Sequence, residues 1–277
     1  MRFPPIVALV ISFSIGCQSG RATGGPRLPD GNAGQILGRA IEASGGWDRW
    51  SSLSDVAFVA TITIFGPFGE VASESIGLQK APLHGSPRVR FESLGLPEPV
   101  TLGFDGKNTW MLRDGAPVRD PGPMVFPRFN MVSSIFWFSL PFSLAEMPVT
   151  ITDLGPQSFE GRTWQRLRVK LEEGAPEAPG DWFVIYFDSK TGRIDHLLGH
   201  ITASFLRHEL WVGRWLDFRD CDGLQKERRR QFYPADEEGN VIGEMVVDQL
   251  VEDVRFNNHF PAETFERPLV LQAENRT

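Results

Sequence analysis

The residue whose position most clearly indicates chemistry is Cys17, which follows the single leading charge of Arg2 and an apolar run over residues 6–15. The run is too short to span a bilayer, which takes about twenty apolar residues, and the small residue Gly16 separates it from the cysteine. This layout is typical of a removable secretory signal. We therefore predict a signal peptide over residues 1–16 and lipid attachment at the Cys17 thiol. Secretion without a lipid anchor and a cytosolic chain are the alternatives.

Histidines are the next candidates for chemistry, and His196 and His200 stand four residues apart, a spacing that a helix could use to bind a metal ion. Their segment instead has the pattern of a β-strand, in which four residues span about 13 Å. That distance is too long for one ion, because metal–ligand bonds measure about 2 Å. We predict ordinary surface histidines and no metal site.

Sequence motifs for catalysis are absent. The chain has no nucleophile elbow of the G-x-S-x-G type, no phosphate-binding G-x-x-x-x-G-K-[ST] loop and no dinucleotide fingerprint. Asp105, Asp181 and Asp188 stand where turns begin, which accounts for them without catalysis. We predict no catalytic residue and no cofactor, and a carboxylate pair from two different strands stays open as an alternative.

The balance of charge argues against a nucleic-acid partner. The chain has a formal net charge of −7 and an isoelectric point of about 5.3, whereas nucleic-acid-binding domains present a basic surface. The local exception is the charged run KERRR over residues 226–230. We interpret it as a solvated strand whose charges protect a sheet edge, with contact to anionic lipid headgroups as the alternative.

Aromatic residues are the feature most suggestive of binding. The chain has 21 Phe and 8 Trp but only 2 Tyr, and Phe and Trp supply large apolar areas. Two cysteines cannot make a disulfide framework, so this apolar area must build the core. Part of it could line a cavity for an apolar ligand, and the candidate walls are Phe58, Ile62, Trp137, Phe138 and Phe142.

These side chains must be positioned by a fold that is mostly β. A Gly- and Pro-rich segment over residues 17–32 predicts a flexible tether, and Asn32 is a favourable N-cap for a helix that ends at Gly45 and Gly46. Alternating apolar residues from Asp55 onward then predict about ten to twelve strands in a large antiparallel sheet, curled or closed. The predicted strands cover residues 56–64, 71–78, 89–93, 101–104, 109–112, 162–171, 181–187, a segment from 193, 209–218, 225–233 and 242–254.

The segment from Pro121 to Pro148 breaks this pattern. It is crowded with apolar residues, and its prolines argue against a central strand. We predict a short helix over residues 130–139, followed by a loop that crosses the mouth of the sheet. An all-round apolar helix must be buried, so the segment either caps the core or forms a lid over an apolar cavity.

Five segments carry a resemblance when they are taken together and in order. They are GGWDRW (45–50), FDGKNTW (104–110), LPFSLA (140–145), DWFVIYFD with KTG (181–192), and the tail VRFN, FP and FERP (254–268). This series resembles a family of bacterial envelope proteins, without an assigned activity, that is similar to the LolA/LolB-type lipoprotein carriers. The resemblance implies an incomplete, strongly curved antiparallel β-barrel whose open side is closed by helices. It also implies a cavity, which in the carriers holds acyl chains.

The sequence thus predicts a mainly β (α+β) fold with an N-terminal helix and a short lid helix, as a half-barrel domain over residues 33–268 with a C-terminal tail over 269–277. The expected protein is a membrane-anchored extracytoplasmic lipoprotein on the outer membrane, facing the periplasm. It is expected to bind a lipid or the acylated end of another protein. A non-enzymatic envelope scaffold with a filled core is the alternative, and an enzyme acting on lipid or polysaccharide is least favoured.

Overall fold

A single antiparallel sheet of thirteen strands dominates the computed structural model, which describes residues 24–119, 122, 124–172, 181–201 and 208–268. The strands are β1 (Asp55–Phe65), β2 (Val71–Pro82), β3 (Val89–Ser93), β4 (Val100–Phe104), β5 (Thr109–Arg113), β6 (Ala116–Pro117), β7 (Val149–Phe159), β8 (Arg162–Leu171), β9 (Trp182–Asp188), β10 (Ile194–His200), β11 (Leu210–Cys221), β12 (Leu224–Pro234) and β13 (Val247–Phe256). Their order in the sheet is β6-β5-β4-β3-β2-β1-β13-β12-β11-β10-β9-β8-β7.

The last strand joins two meanders into this one sheet. Strands β1 to β6 and β7 to β12 each follow chain order, and β13 pairs with β1 on one side and with β12 on the other. Strands β6 and β7 are the two edges and do not pair with each other in the described part of the chain. The sheet is therefore open, which confirms the predicted incomplete, curved antiparallel barrel.

Three α-helices accompany the sheet within the described residues: α1 (Gly31–Ala43), α2 (Trp47–Ser51) and α3 (Val125–Ser139). Helix α1 buries the apolar face that its spacing predicts, including Leu37 and Ile41. It ends where two glycines with positive φ follow, and a Cβ at Gly45 would meet the Gly223 carbonyl oxygen at 2.3 Å. None of the described helices has the length and apolarity needed to cross a membrane.

Helix α1 begins slightly earlier than the sequence predicts. The N-cap position of α1 is Asp30 instead of Asn32. The side-chain Nδ2 of Asn32 instead donates to Asp153 Oδ2 at 2.7 Å. The predicted tether segment also contacts the domain, because the Arg27 amide donates to the Ala145 carbonyl at 3.2 Å. The predicted signal peptide over residues 1–16, Cys17 and the tail over 269–277 lie outside the described residues.

Helix α3 fills the inner side of the sheet. It is longer than predicted because Pro127 stands in its first turn, where proline is tolerated. It ends at Ser139 because Leu140 precedes a proline and takes an extended conformation. Every residue from Met131 to Ser139 is at most 9% exposed, as an all-round apolar helix requires.

Strand β7 is an edge strand that the sequence analysis did not predict. It contains Gly155 and Pro156, which together read as a turn. Proline is tolerated on an edge strand, and the pairing with β8 shifts register between Asp153 and Pro156. The position of β7 at the edge of the sheet therefore allows a strand where the Gly-Pro pair by itself favours a turn.

The interpretation of residues 226–230 as a solvated edge is wrong. These residues belong to β12, an inner strand that pairs with β11 and β13. The side chains of Lys226, Glu227 and Arg230 are at most 3% exposed. The two arginines between them lie on the outer side, where Arg228 pairs with Glu252 and Arg229 with Asp248.

Candidate functional site

A cavity of about 580 Å³ lies between α3 and one end of the sheet. Its walls come from the end of β1, the start of β2, the start of β11, the end of β12, the start of β13 and the connection before β13. Most of the lining is apolar. The apolar lining residues are Ile62, Ile64, Phe65, Gly66, Pro67, Ala72, Phe129, Trp137, Ile201, Trp211, Phe232, Pro234, Gly243, Val246 and Val247.

The cavity opens to solvent between two connections of the sheet. Exposed residues line this mouth, among them Pro67 and Glu70 in the β1–β2 turn and Glu244 in the β12–β13 connection. The inner end is closed by side chains that are nearly inaccessible, such as Trp137 and Trp211. The site is thus a pocket with one wet end and one buried end. Its volume falls within the range of about 300–1,000 Å³ typical of small-molecule sites.

The structure divides the predicted wall residues into two groups. Ile62 and Trp137 line the cavity. Phe58, Phe138 and Phe142 do not line it, because all three are fully buried in the core. The Phe58 and Phe138 rings stack with their centroids 5.0 Å apart. The Phe142 ring stacks on Trp50 at 4.6 Å.

Trp137 forms the partition between core and cavity. Its ring packs edge-on against Phe183 at 5.1 Å and against Trp215 at 5.8 Å on the core side. Phe232, which lines the cavity, lies 6.1 Å from it. The next residue along α3, Phe138, is already part of the filled core. The cavity therefore ends at the point along α3 where the side chains change from lining the cavity to packing in the core.

Polar residues, none of them among the predicted wall residues, interrupt the apolar lining at the inner end. Asn130, Ser133 and Ser134 come from α3, and Gln249 comes from β13. The signal was present, because three polar residues at a spacing of three and four share one face of an otherwise apolar helix. Their partner on β13 could not be inferred, because it is more than a hundred residues away.

A buried ionic network supports this polar end. The Arg230 guanidinium donates from Nη1 to Gln249 Oε1 at 3.0 Å and to the Ser134 carbonyl at 3.2 Å, and from Nε to Glu227 Oε1 at 2.7 Å. The Gln249 amide then donates from Nε2 to Ser134 Oγ at 2.8 Å. Burial lowers the pKa of Arg230, and the Glu227 carboxylate opposes this shift.

Lys226 fastens the C-terminal end of α3 to the sheet. Its ammonium group donates to the carbonyl of Phe138 and, at 3.1 Å, to the carbonyl of Leu140. A cation is favourable here because the last carbonyls of a helix lack partners within the helix. Burial lowers the pKa of Lys226, while the nearby Glu227 carboxylate raises it. Together, Lys226 and Arg230 hold α3 in the register that places Ser134 and Trp137 at the cavity.

The histidines singled out by their spacing do not form a site with each other. The His196 ring stacks on Tyr186 at 4.1 Å, and the His200 ring stacks on Trp182 at 5.6 Å. Within the described part of the chain, no group of three or more His, Cys, Asp or Glu side chains could hold a metal ion. Cys221 is a free thiol at the end of β11, and burial raises its pKa, which disfavours the reactive thiolate.

A second polar cluster, whose residues do not line the cavity, surrounds Asp195 on strands β8 and β10. Its carboxylate accepts from His196 Nδ1 at 2.9 Å, from Arg162 Nη2 at 2.5 Å and from Trp164 Nε1 at 3.2 Å. Burial raises the pKa of this carboxyl group, but the hydrogen bonds and charges of His196 and Arg162 outweigh burial and lower the pKa to about 2.

Asp195→Asn is expected to remove a pH-dependent part of the stability. The folded-state pKa of about 2 lies below the usual value of about 3.9, so the stabilisation is complete above that value and is lost as the pH falls toward 2. The difference in melting temperature between the wild type and the variant should therefore be constant at neutral pH and should close between pH 4 and pH 2. A difference that stays constant down to pH 2 would contradict this assignment.

Comparisons with known proteins identify the fold. No known family model matches the sequence, and no curated protein matches it. A LolA superfamily protein from Nitrosomonas europaea and a DUF1329 family protein from Desulfovibrio piger each give a TM-score of 0.53 at 11% identity, covering 84% of this chain and 96% of theirs. An outer membrane lipoprotein-sorting protein domain from Vibrio parahaemolyticus gives 0.50 at 10% identity, with 84% and 95% covered. The chain therefore has the LolA-like fold that the order of its sequence motifs predicts.

Proposed function

We propose that the protein is an extracytoplasmic lipoprotein that binds a lipid or an acyl chain in the cavity between α3 and the sheet. The observation that carries the proposal is the cavity itself, which has a volume of about 580 Å³ and a mostly apolar lining. An apolar chain gains about 25 cal/mol for each Å² of surface that it removes from water, so binding needs no reactive group. The LolA-like fold supports the proposal, because it places such a cavity on the inner side of an open barrel.

The surroundings of the mouth also favour a ligand that arrives from an apolar phase. Phe68, in the turn between β1 and β2, is 91% exposed, and Ile242, next to the lining residue Gly243, is 55% exposed. Large apolar side chains at this level of exposure mark contact surfaces when they surround a groove. They would shield a chain that passes from a membrane or from an acylated protein into the cavity.

Extraction of the purified protein is the direct test of occupancy. The chain isolated from the cell envelope should release lipid or fatty acid that mass spectrometry identifies, and a fluorescent fatty-acid probe should bind the emptied protein. A protein that releases nothing and leaves the probe unshifted would contradict the proposal.

Ile62→Trp is expected to weaken binding of the probe at least about tenfold, which corresponds to about 1.4 kcal/mol. Ile62 lies on the inner face of β1 and lines the cavity, so the larger indole ring occupies space that the ligand needs. Thr63→Trp is the matched control, because Thr63 lies on the opposite face of the same strand, where its hydroxyl contacts Glu74. Equal affinities of the two variants would place the ligand elsewhere.

The lipid anchor is proposed at Cys17, with its attachment to the outer membrane on the periplasmic side. Labelling with radioactive palmitate should mark the wild type and not Cys17→Ala, and the labelled protein should sediment with the membrane fraction. Equal labelling of the two proteins would refute attachment at this residue.

A non-enzymatic scaffold is the second candidate, and a specific observation favours it. Apart from the cavity, the inner side of the sheet is filled by the protein's own aromatic side chains, including Phe58, Phe138 and Phe142. In that case the exposed apolar residues near the mouth would contact a partner protein. A partner whose affinity is unchanged by Ile62→Trp but lost on Phe68→Ser would support the scaffold over the acyl-binding protein.

A further inference from the structure

We infer that the cavity binds a chain whose polar group is an oxygen acceptor, and that the Ser134 hydroxyl donates to this acceptor at the buried end. The chemistry fits the carboxylate of a fatty acid or the carbonyl of an acyl ester. The inference rests on the proposed function, since it concerns the same cavity, and it adds the orientation and the class of the ligand. Its basis is the direction of the hydrogen bonds between β12, β13 and α3.

The orientation of the Gln249 amide is fixed by its neighbour. A guanidinium can only donate, so the atom of Gln249 that lies 3.0 Å from Arg230 Nη1 must be the carbonyl oxygen. The amide nitrogen therefore points to Ser134 Oγ, at 2.8 Å, and donates to it. Along the series Arg230, Gln249 and Ser134, each group donates a hydrogen bond to the next group toward the cavity. The last group, the Ser134 hydroxyl, accepts from Gln249 and still holds one proton to donate.

That proton has no acceptor among the described residues. The neighbouring Ser133 donates to the Phe129 carbonyl, four residues earlier in α3, at 2.6 Å. Ser134 makes no such bond to its helix, although its side chain is equally buried and lines the cavity. Of its donor and acceptor capacities, the Ser134 hydroxyl therefore uses only the acceptor among the described residues. An acceptor inside the cavity would complete the series.

The charges around the cavity favour an acceptor that is anionic. Arg230 is a cation behind the inner end, Lys226 is a second cation farther along β12 at the C-terminal end of α3, and the Glu227 carboxylate contacts both; all three are at most 3% exposed. Hydrogen bonds in a chain polarise one another, so the Arg230 charge strengthens the donor at Ser134. At the mouth, by contrast, Glu70 and Glu244 are exposed carboxylates. A negative head group is thus attracted to the buried end and repelled at the rim.

Three ligands of equal chain length test the inference on the full, delipidated chain. Decanoate carries an anionic acceptor, methyl decanoate carries a neutral carbonyl, and protonated decylamine carries only donors. Calorimetric titration should rank decanoate first, and decylamine should bind at least about tenfold more weakly, a difference of about 1.4 kcal/mol. The ester separates the two sources of the acceptor: binding as tight as that of decanoate indicates an acylated lipid or protein, and weaker binding indicates the free acid.

The variant Ser134→Ala should weaken decanoate binding by about tenfold, as expected for the loss of one charge-assisted hydrogen bond, and should leave decylamine binding unchanged. Ser139→Ala is the matched control and should stay within twofold of the wild type, since Ser139 is a buried serine of the same helix that does not line the cavity. Melting temperatures show whether both variants are folded; if Ser134→Ala does not fold, the ranking of the ligands on the wild type decides.

Two results would overturn the inference while leaving the proposed function intact. One is decylamine binding as tightly as decanoate. The other is an equal loss for all three ligands in Ser134→Ala, which would indicate a structural effect of the substitution. Failure of every ligand to bind the wild type would overturn the inference and the proposed function together.

Discussion

Glu227→Gln is expected to destabilise the protein by about 3–5 kcal/mol, because it leaves two buried cations without their counter-ion. The Glu227 carboxylate accepts from Arg230 Nε at 2.7 Å, and its second oxygen lies 3.8 Å from Lys226 Nζ. Neither cation can turn toward water, since both hold carbonyl groups at the C-terminal half of α3. Urea unfolding measures the change as a lower midpoint with an unchanged slope.

Glu252→Gln is the matched control on the outer side of the same sheet. Glu252 pairs with Arg228, which belongs to the same strand as Arg230, but the two side chains are 38% and 48% exposed. Exposed ion pairs contribute at most about 1 kcal/mol, so this variant should lie close to the wild type. Losses of similar size in the two variants would show that burial does not govern the strength of these ion pairs.

The loss in the free energy of unfolding caused by Glu227→Gln should also depend on pH. Burial lowers the pKa of Lys226 and Glu227 opposes that shift, so removal of the carboxylate lowers the pKa further. Between the folded and unfolded pKa values the unfolded chain binds more protons, and the stability of the variant therefore rises with pH. Arg230 stays protonated, so part of the deficit remains. A deficit that grows as the pH rises would contradict this account.

These buried ions also explain why the charge pattern of residues 226–230 predicts the wrong environment. A run of five charged residues is normally a solvated face, and nothing within the run distinguishes Arg230, which is buried, from Arg229, which is not. The difference arises from topology. Strand β12 lies between β11 and β13 and beneath α3, and its partners on α3 are about ninety residues earlier in the chain. Pairings over such distances leave no local pattern.

Local patterns did predict the parts of the fold that depend on periodicity. The apolar face of α1, the alternation in β1 and the all-round apolarity of α3 each follow from which side of an element is buried. Strand β7 was missed because its Gly-Pro pair resembles a turn, and only its place at the sheet edge makes it tolerable as a strand. The open barrel itself was predicted from the resemblance rather than from any single element.

The structure brings only some of the predicted wall residues to the cavity, for a physical reason. Aromatic and aliphatic residues serve equally well as core and as cavity wall, so composition could nominate Ile62 and Phe58 but could not separate them. Whether such a residue belongs to the core or to the cavity wall depends on which part of the sheet α3 leaves uncovered. Polar residues within the apolar α3 were the more specific signal, since Ser134 at the buried end needs a partner that a filled core would not supply.

Phe138→Ala is expected to lower the free energy of unfolding by about 3–5 kcal/mol, the usual cost of removing a buried phenylalanine ring. The ring is fully buried, stacks on Phe58 at 5.0 Å and lies 4.6 Å from the ammonium group of Lys226. Its removal leaves a void under α3 and weakens the contact that fixes the helix end. Because Phe138 does not line the cavity, affinity for a fatty-acid probe should stay within about threefold when measured well below the melting temperature, a change of under about 1 kcal/mol.

Ile62→Ala is the matched counterpart, because Ile62 is half-buried and lines the cavity. We expect a smaller loss of stability than for Phe138→Ala and a larger loss of affinity, since the apolar surface removed here lines the cavity proposed to hold the ligand. Phe138→Ala should thus lower mainly the stability, and Ile62→Ala should lower mainly the affinity for the probe. If Phe138→Ala weakens binding more than Ile62→Ala does, the bound acyl chain reaches beneath α3. In that case the Trp137 side chain, which separates the core from the cavity, must move when the ligand enters.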